Sequence, residues 1–254
     1  MTILSQRSIA LWLLGYPEAA LADFEQTLSY ARESGQAATL VYGLSVALLT
    51  PIHCRQYAAA RLLVDEVVAL ADEKGTLFWK AFGTMNHGCV LAVTGQASDA
   101  IHVTTSGITA WRSIGGTWLL SFYLSYLARV QAALGQFDDG WRCIGEATMT
   151  VETTKETMFE AEVHRISGEI ALLSPKQGSA KAEAYFERAL AVARAQQAKS
   201  WELRAAMSLA RLWRDQGKVQ EARVLLAPIY GWFTEGFDTR DLIEAKALLE
   251  ELAA

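Results

Sequence analysis

The chain has 254 residues, of which 52% are hydrophobic and 20% charged, and its formal net charge at pH 7 is −5. This apolar share excludes an intrinsically disordered chain, and the acidic balance argues against broad nucleic-acid binding. The three cysteines, Cys54, Cys89 and Cys143, are far apart and form no CxxC pair, which indicates a reducing compartment. The presence of only 4 prolines favours a mostly helical chain.

The N-terminal fifty residues contain two apolar segments that could suggest secretion or membrane insertion. The first, Ile9 to Leu14, is short for a signal peptide, and Glu18 lies just before the possible cleavage site. The second, Leu40 to Ile52, is shorter than the roughly 20 residues that cross a bilayer. We therefore expect a cytoplasmic protein without membrane association.

A repeat of about 40 residues runs along the chain. A small residue follows a short turn in each unit, and these small residues are Ala20, Ala60, Ala100, Gly140, Ala182 and Ala222. The spacing is 40 residues except between Gly140 and Ala182, where the loop 174–179 accommodates 2 more. Each unit is predicted to form two amphipathic helices joined by a tight turn, and the small residue allows them to approach closely.

The repeat divides the chain into six units and a final helix. The predicted units cover approximately residues 1–37, 38–76, 77–116, 117–156, 157–199 and 200–236, with a capping helix over 238–253. We expect Pro51 to interrupt the first helix of the second unit, and Pro228 to bend or end the last helix of the sixth. In segment 231–239, Trp232 and Phe233 are expected to cover the end of the core, and Asp238 or Thr239 to cap the closing helix. A ligand-binding loop is the alternative for this segment.

These features resemble the tetratricopeptide-repeat (TPR) family. The matching residues in the sixth unit are Leu209, Ala210, Trp213, Gly217 and Ala222, and those in the fifth are Gly168, Ala182, Phe186 and Ala189. The period exceeds the 34 residues usual in the family, and Gly140 replaces the usual alanine. The resemblance implies an all-α, right-handed superhelical solenoid that binds partners on its concave surface.

A narrower resemblance rests on four segments, residues 10–17, 160–165, 198–206 and 227–239. They look like the C-terminal repeat region of large bacterial signalling proteins, in which a nucleotide-cyclase or DNA-binding domain and a P-loop ATPase precede the repeats. This resemblance implies a regulatory scaffold of a bacterial signalling system. It also implies that the present chain is the repeat portion without the catalytic parts.

The sequence contains none of the motifs that carry common catalytic or metal chemistry. It has no GxxxxGK[ST] phosphate loop, no GxGxxG after a strand and no HExxH zinc motif. The adjacent residues His53 and Cys54 would point in different directions from a helix, so we assign them to packing. We predict no enzymatic activity, no metal site and no cofactor.

The repeat frame identifies residues expected to face the concave groove. The predicted partner-binding residues are Tyr42, Phe82, Phe122, Arg129, Glu162, Arg165, Glu169, Arg204 and Arg211. The groove would be aromatic at its N-terminal end and charged at its C-terminal end. Its arginines could bind a carboxylate or phosphate of a protein or peptide partner in a bidentate manner. Alternatively, the glutamates pair with the arginines and brace adjacent units, without binding a partner.

A second functional hypothesis is a sensor of a small ligand or peptide. Its pocket would be the aromatic surface formed by Tyr42, Phe82 and Phe122. A closed, deep apolar pocket would favour this sensor, whereas an open groove wide enough for a helix would favour a protein partner.

The first helix is more apolar than packing within its own unit requires. Its apolar residues are Ile3, Leu4, Ile9, Leu11, Trp12, Leu13 and Leu14. A helix that is apolar on most sides is normally buried. We therefore expect self-association through residues 1–30, most simply as a two-fold homodimer.

Overall fold

The computed structural model describes residues 2–253, and within this range it contains fourteen α-helices and no strand. The helices are α1 Thr2–Leu13, α2 Pro17–Glu33, α3 Ala37–Ala47, α4 Leu49–His53, α5 Tyr57–Glu73, α6 Leu77–Val93, α7 Ala97–Ser113, α8 Leu120–Ala133, α9 Phe137–Thr154, α10 Glu160–Leu173, α11 Gly178–Ala195, α12 Lys199–Asp215, α13 Val219–Tyr230 and α14 Arg240–Glu251. Consecutive helices pack as hairpins that stack along the chain, so the predicted all-α solenoid is confirmed. None of the helices within residues 2–253 combines the length and hydrophobicity that a membrane span requires.

The small residues of the repeat lie at the contacts between the paired helices. Ala20, Ala60 and Ala100 are buried, as are Ala182 and Ala222. At Gly140, an added Cβ atom would lie 3.0 Å from the carbonyl oxygen of Ala128. The repeat therefore records the positions where two helices come closest, and a side chain larger than alanine would separate them.

Proline interrupts the second unit and is tolerated in the sixth. The first helix of the second unit is divided into α3 and α4 at Leu48, just before Pro51. Proline has no N–H group to donate to the carbonyl four residues earlier, which accounts for the break. Pro228 lies inside α13, which continues to Tyr230.

The first and last units contact each other, so the solenoid closes on itself. The Ser200 hydroxyl donates a hydrogen bond to the carbonyl oxygen of Trp12. The indole rings of Trp12 and Trp201 meet edge to face at 4.7 Å. Near the start of α2, the backbone N–H of Ala19 donates to the carboxylate of Glu235 at 2.9 Å. We call this contact of α1 and the start of α2 with α12 and residues 232–236 the seam.

Packing within the chain removes part of the reason for expecting self-association through residues 1–30. Ile9 and Trp12 are buried within their own chain, where α1 packs against α2, α3, α4 and α12. Ile3 and Leu14 remain exposed. Self-association therefore stays a prediction, but part of the apolar face on which it was based is covered within the chain, mainly by α2 and also by α3, α4 and α12.

Segment 231–239 packs against the first unit. The Phe233 side chain is buried, and the Trp232 ring contacts the ring of Tyr16 at 5.7 Å and the ammonium group of Lys199 at 5.4 Å. Thr239 is the N-cap residue of α14, but its hydroxyl donates to the carbonyl oxygen of Gly236 and makes no capping hydrogen bond. Thr239 therefore lies at the predicted position, the start of α14, but the predicted capping hydrogen bond from its side chain is wrong.

Candidate functional site

A cavity of about 250 Å³ opens on the concave surface of the solenoid. Its walls come from the start of α5 and from α8, α10, α12 and α14. Its charged residues are Arg55, Arg129, Arg165, Arg204, Arg211, Glu162, Glu169, Asp241 and Glu244. We call it the arginine cavity. Six of the nine predicted groove residues lie in its wall.

Arg165 is buried at the back of the arginine cavity. Its Nε and Nη2 atoms donate to the two oxygens of Glu162 at 2.7 and 2.8 Å, and its Nη1 atom donates to Glu169. Glu162 lies three residues before Arg165 and Glu169 four residues after it on α10, so one helix presents the three side chains together. Burial opposes the charge on Arg165, but the two carboxylates outweigh it and raise its pKa above the ordinary range.

Glu169 connects two neighbouring units. Its second oxygen contacts Nε of Arg129, on α8, at 3.1 Å. Burial alone would raise the pKa of Glu169, but the charges of Arg165 and Arg129 outweigh burial and lower that pKa. Glu169 is therefore held as a carboxylate at neutral pH.

Helix α14 supplies the other two carboxylates. Asp241 accepts a hydrogen bond from Nε of Arg204 at 2.8 Å. The same guanidinium donates to the carbonyl oxygen of His53 and lies 5.0 Å from the ring of Trp12. Arg204 therefore holds α14 and the seam together, and its carboxylate partner is on α14 rather than on α10 as the bracing alternative supposed.

Arg55 was not predicted as a site residue. Its Nη1 atom contacts Asp241 at 3.2 Å and Glu244 at 2.9 Å. Burial opposes its charge, but Glu244 and Asp241 raise its pKa above the ordinary range. The sequence did contain a signal for this residue, because Arg55 occupies the turn position at which most other units have glycine. In the structure the φ angle of Arg55 is 60°. A non-glycine residue in this left-handed region is strained, and such strain is concentrated at functional sites.

The five arginines of the arginine cavity outnumber its four carboxylates. Both oxygens of each carboxylate have a guanidinium partner, and the outermost such contact joins Glu244 to Arg211 at 3.3 Å. The side chains of Arg129 and Arg211 are 45% and 42% exposed. Within residues 2–253, each of these arginines contacts a single carboxylate oxygen, so most of their N–H groups remain available.

The aromatic end of the predicted groove is not a binding surface. Phe82 and Phe122 are fully buried, and only Tyr42 is half-buried, with its ring edge-on to Trp79 at 5.6 Å. The Phe122 ring packs against His53 at 5.4 Å. The Phe82 ring is covered by neighbouring rings such as Trp118, at 5.5 Å, and the Phe122 ring by His53 and by Phe159, the latter at 4.7 Å. The predicted groove positions Phe82 and Phe122 therefore belong to the core.

A second cavity of about 400 Å³ adjoins the arginine cavity. The two share a wall formed by Arg55, Tyr57, Tyr126 and Arg129. The other residues around the second cavity are mainly aliphatic and include Ala92, Val93, Ala97, Val130, Ala133 and Leu134. We call it the aliphatic cavity. Together the two cavities place charged and apolar surfaces side by side.

Comparison with known proteins identifies similar folds but no sequence family. No family model matches the chain, and no curated protein matches it in sequence. The apo form of RapI has a TM-score of 0.66 at 12% identity, over 98% of this chain and 83% of RapI. Aspartyl phosphate phosphatase F from Bacillus subtilis has a TM-score of 0.63 at 12% identity, over 89% of this chain and 57% of that protein.

A third solved structure also shares the fold. It is a signal transduction ATPase with numerous domains from Pyrococcus horikoshii, described as having a tetratricopeptide repeat sensor. The TM-score is 0.50 at 11% identity, over 98% of this chain and 38% of that protein. At these identities the three similarities show a TPR-like helical-repeat fold.

Proposed function

We propose that this chain is a non-catalytic regulatory module that binds a protein or peptide partner in the arginine cavity. One observation carries the proposal: predicted groove residues from three units converge on one solvent-open cavity that retains unused hydrogen-bond donors. These residues are Arg129, Glu162, Arg165, Glu169, Arg204 and Arg211. Arg165, Glu162 and Arg204 shape the cavity, while Arg129 and Arg211 are accessible to a partner.

The proposed setting is a bacterial signalling system in the cytoplasm. The solved structures of similar fold support a regulatory role, since one is described as a repeat sensor of a signal transduction ATPase. The resemblance of four segments to repeats that follow a nucleotide-cyclase domain and a P-loop ATPase supports the same setting. In such a protein the repeats would bind the partner, and the other domains would respond.

The shape of the site favours an extended segment over a helix. A helix with its side chains is about 10–12 Å across, whereas the arginine cavity has a volume of only about 250 Å³. A small-ligand sensor remains the alternative, but its supposed aromatic pocket is filled by buried Phe82 and Phe122. A polar small molecule that used the arginines would compete with the peptide for the arginine cavity.

Site-specific photo-crosslinking tests the proposal. A benzoylphenylalanine would replace Tyr57, which lines the cavity, or Tyr30, which is exposed on α2 outside it. Each protein would be irradiated with a pool of random hexapeptides and analysed by mass spectrometry. We expect peptide adducts at position 57 well above those at position 30. Equal labelling at both positions, or none at either, would contradict the proposal.

A further inference from the structure

The numbers of hydrogen-bond donors and acceptors in the arginine cavity indicate the charge of the ligand that fits it. A guanidinium carries five N–H groups, and a carboxylate only accepts hydrogen bonds. The cavity contains five guanidinium groups and four carboxylates, so its excess charge is positive. Within the part of the chain that the structure describes, its accessible donors without a partner are those of Arg129 and Arg211. A ligand that fits this site must therefore supply acceptors, and an anionic ligand supplies the strongest ones.

The accessible arginines differ from the buried ones in what they can do. Arg165 and Arg204 are almost completely buried, and their N–H groups hold carboxylates of the wall. Arg129 and Arg211 reach the same cavity from α8 and α12, and nearly half of each side chain is exposed. Arg129 and Arg211 can bind a carboxylate of the ligand without breaking the ion pairs of Arg165 and Arg204. Each of them would lose at most its one contact with a carboxylate of the wall.

The adjoining aliphatic cavity indicates which kind of group the ligand carries next to its carboxylate. The shared wall of Arg55, Tyr57, Tyr126 and Arg129 lies between the arginine cavity and the aliphatic side chains, and Arg240 also borders the aliphatic cavity. Burial raises the pKa of the Tyr126 hydroxyl above its ordinary range, so this group stays a neutral donor. A ligand that fills both cavities therefore carries an acidic group and an aliphatic group within one residue or two of each other.

We propose that the two cavities bind a short extended peptide in which an acidic residue is next to an aliphatic one. The acidic side chain lies between Arg129 and Arg211, and the aliphatic side chain lies against Val93, Val130 and Leu134. A free amino acid fits less well, because its ammonium group would add a positive charge to a cavity in which five arginines already outnumber four carboxylates. This inference rests on the proposed function and specifies the class of partner.

Affinity selection from a random hexapeptide pool tests the inference. The full chain is incubated with the pool and separated by size exclusion, and the bound peptides are sequenced by mass spectrometry. We expect enrichment of Asp or Glu next to Val, Ile or Leu. The double variant Arg129→Gln/Arg211→Gln should bind the enriched peptides at least tenfold more weakly.

A matched control is available on the outer surface. Arg112, on α7, is also 42% exposed and also pairs with one glutamate, Glu146. Arg112→Gln should leave the affinity for the enriched peptides unchanged. In the aliphatic cavity, Leu134→Gln should remove the aliphatic preference but keep the acidic one, and Leu62→Gln, at an exposed position of α5 outside the cavity, should change neither.

The outcomes distinguish this inference from the function on which it rests. Peptides retained without acidic enrichment, or with equal loss in the Arg112→Gln control, would overturn the inference and leave partner binding intact. A pool from which nothing is retained would overturn both. Competition by octanoate as effective as that by the enriched peptide would assign the site to a free acyl acid, and would overturn the peptide as its ligand.

Discussion

Arg204 and Arg211 lie on one helix and line one cavity, yet their truncation should have different effects on stability. Arg204 is buried with Asp241, so Arg204→Ala leaves a carboxylate without its main partner and should cost about 3–5 kcal/mol. The Arg211 pair with Glu244 is partly exposed, and Arg211→Ala should cost at most about 1 kcal/mol. Urea unfolding measures both losses. Equal losses would show that Arg211 also braces the fold and is not free to bind a partner.

The buried His53 should make the protein sensitive to acid. Burial, with a smaller contribution from Arg204, lowers the pKa of His53 from 6.5 to about 3. The folded state therefore binds fewer protons than the unfolded state between these values, so this contribution to stability is complete above pH 6.5 and is lost as the pH falls. We expect a loss of about 3 kcal/mol between pH 6.5 and pH 4 from this residue.

The His53→Phe variant isolates that contribution. Phenylalanine preserves aromatic packing against Trp12, whose ring lies 4.6 Å from that of His53, and it has no proton to bind. The pKa of His164 is also lowered, to about 4, mainly by burial, but His164 is present in both proteins and cancels. The free energy of unfolding of the variant should fall less steeply with pH. Parallel pH profiles would show that His53 does not titrate during unfolding.

At the scale of the helical hairpin, stability depends on the small residue of the repeat. Ala100 is buried where α7 approaches its neighbours Leu91 and Val130. Ala100→Leu should overpack this contact and cost about 1–3 kcal/mol. Ala58→Leu, at an exposed position near the start of α5, is the control and should be nearly neutral. Denaturant unfolding that shows no difference between the two variants would place the helix contact elsewhere.

The hairpins could be predicted from the sequence because their determinants are local. The turn, the small residue and the apolar face of each helix all lie within one 40-residue unit, and these elements were predicted. Arg129, Glu162, Arg165, Glu169, Arg204 and Arg211 share a cavity because the same frame places them on first helices. Asp241 and Glu244 were assigned to a capping helix, and no local pattern shows that this helix turns its acidic residues toward the groove.

Closure of the molecule could not be predicted from the repeat. A periodic pattern specifies how each unit contacts the next, whereas the seam depends on the accumulated curvature of six units. The residues that form it, such as Trp12 and Trp201, lie in the first and the sixth unit, and the repeat does not show that these two units meet. Phe82 and Phe122, expected in an open groove, are both buried: Phe82 beneath rings such as Trp118, and Phe122 between His53 and Phe159.

Closure should also change how the whole molecule unfolds. In an open solenoid each repeat depends mainly on its neighbours, but here loss of Trp12 removes a large buried side chain between the first and last units. Trp12→Ala should cost about 3–5 kcal/mol. It should also increase hydrogen exchange in α12 as well as in α1. Faster exchange confined to α1 and α2 would show that the two ends are energetically independent.

The seam has a further consequence for synthesis of the chain. Trp12 and its hydrogen-bond partner Ser200 are separated by 188 residues. At about 5–20 residues per second, the ribosome needs roughly 10–40 s to make that stretch. During this interval α12 does not yet exist, so the part of Trp12 that packs against Trp201 is open to chaperones and to neighbouring nascent chains. The first unit is therefore fully packed only after the last unit has been made, and we expect the chain to be most prone to aggregation during its translation.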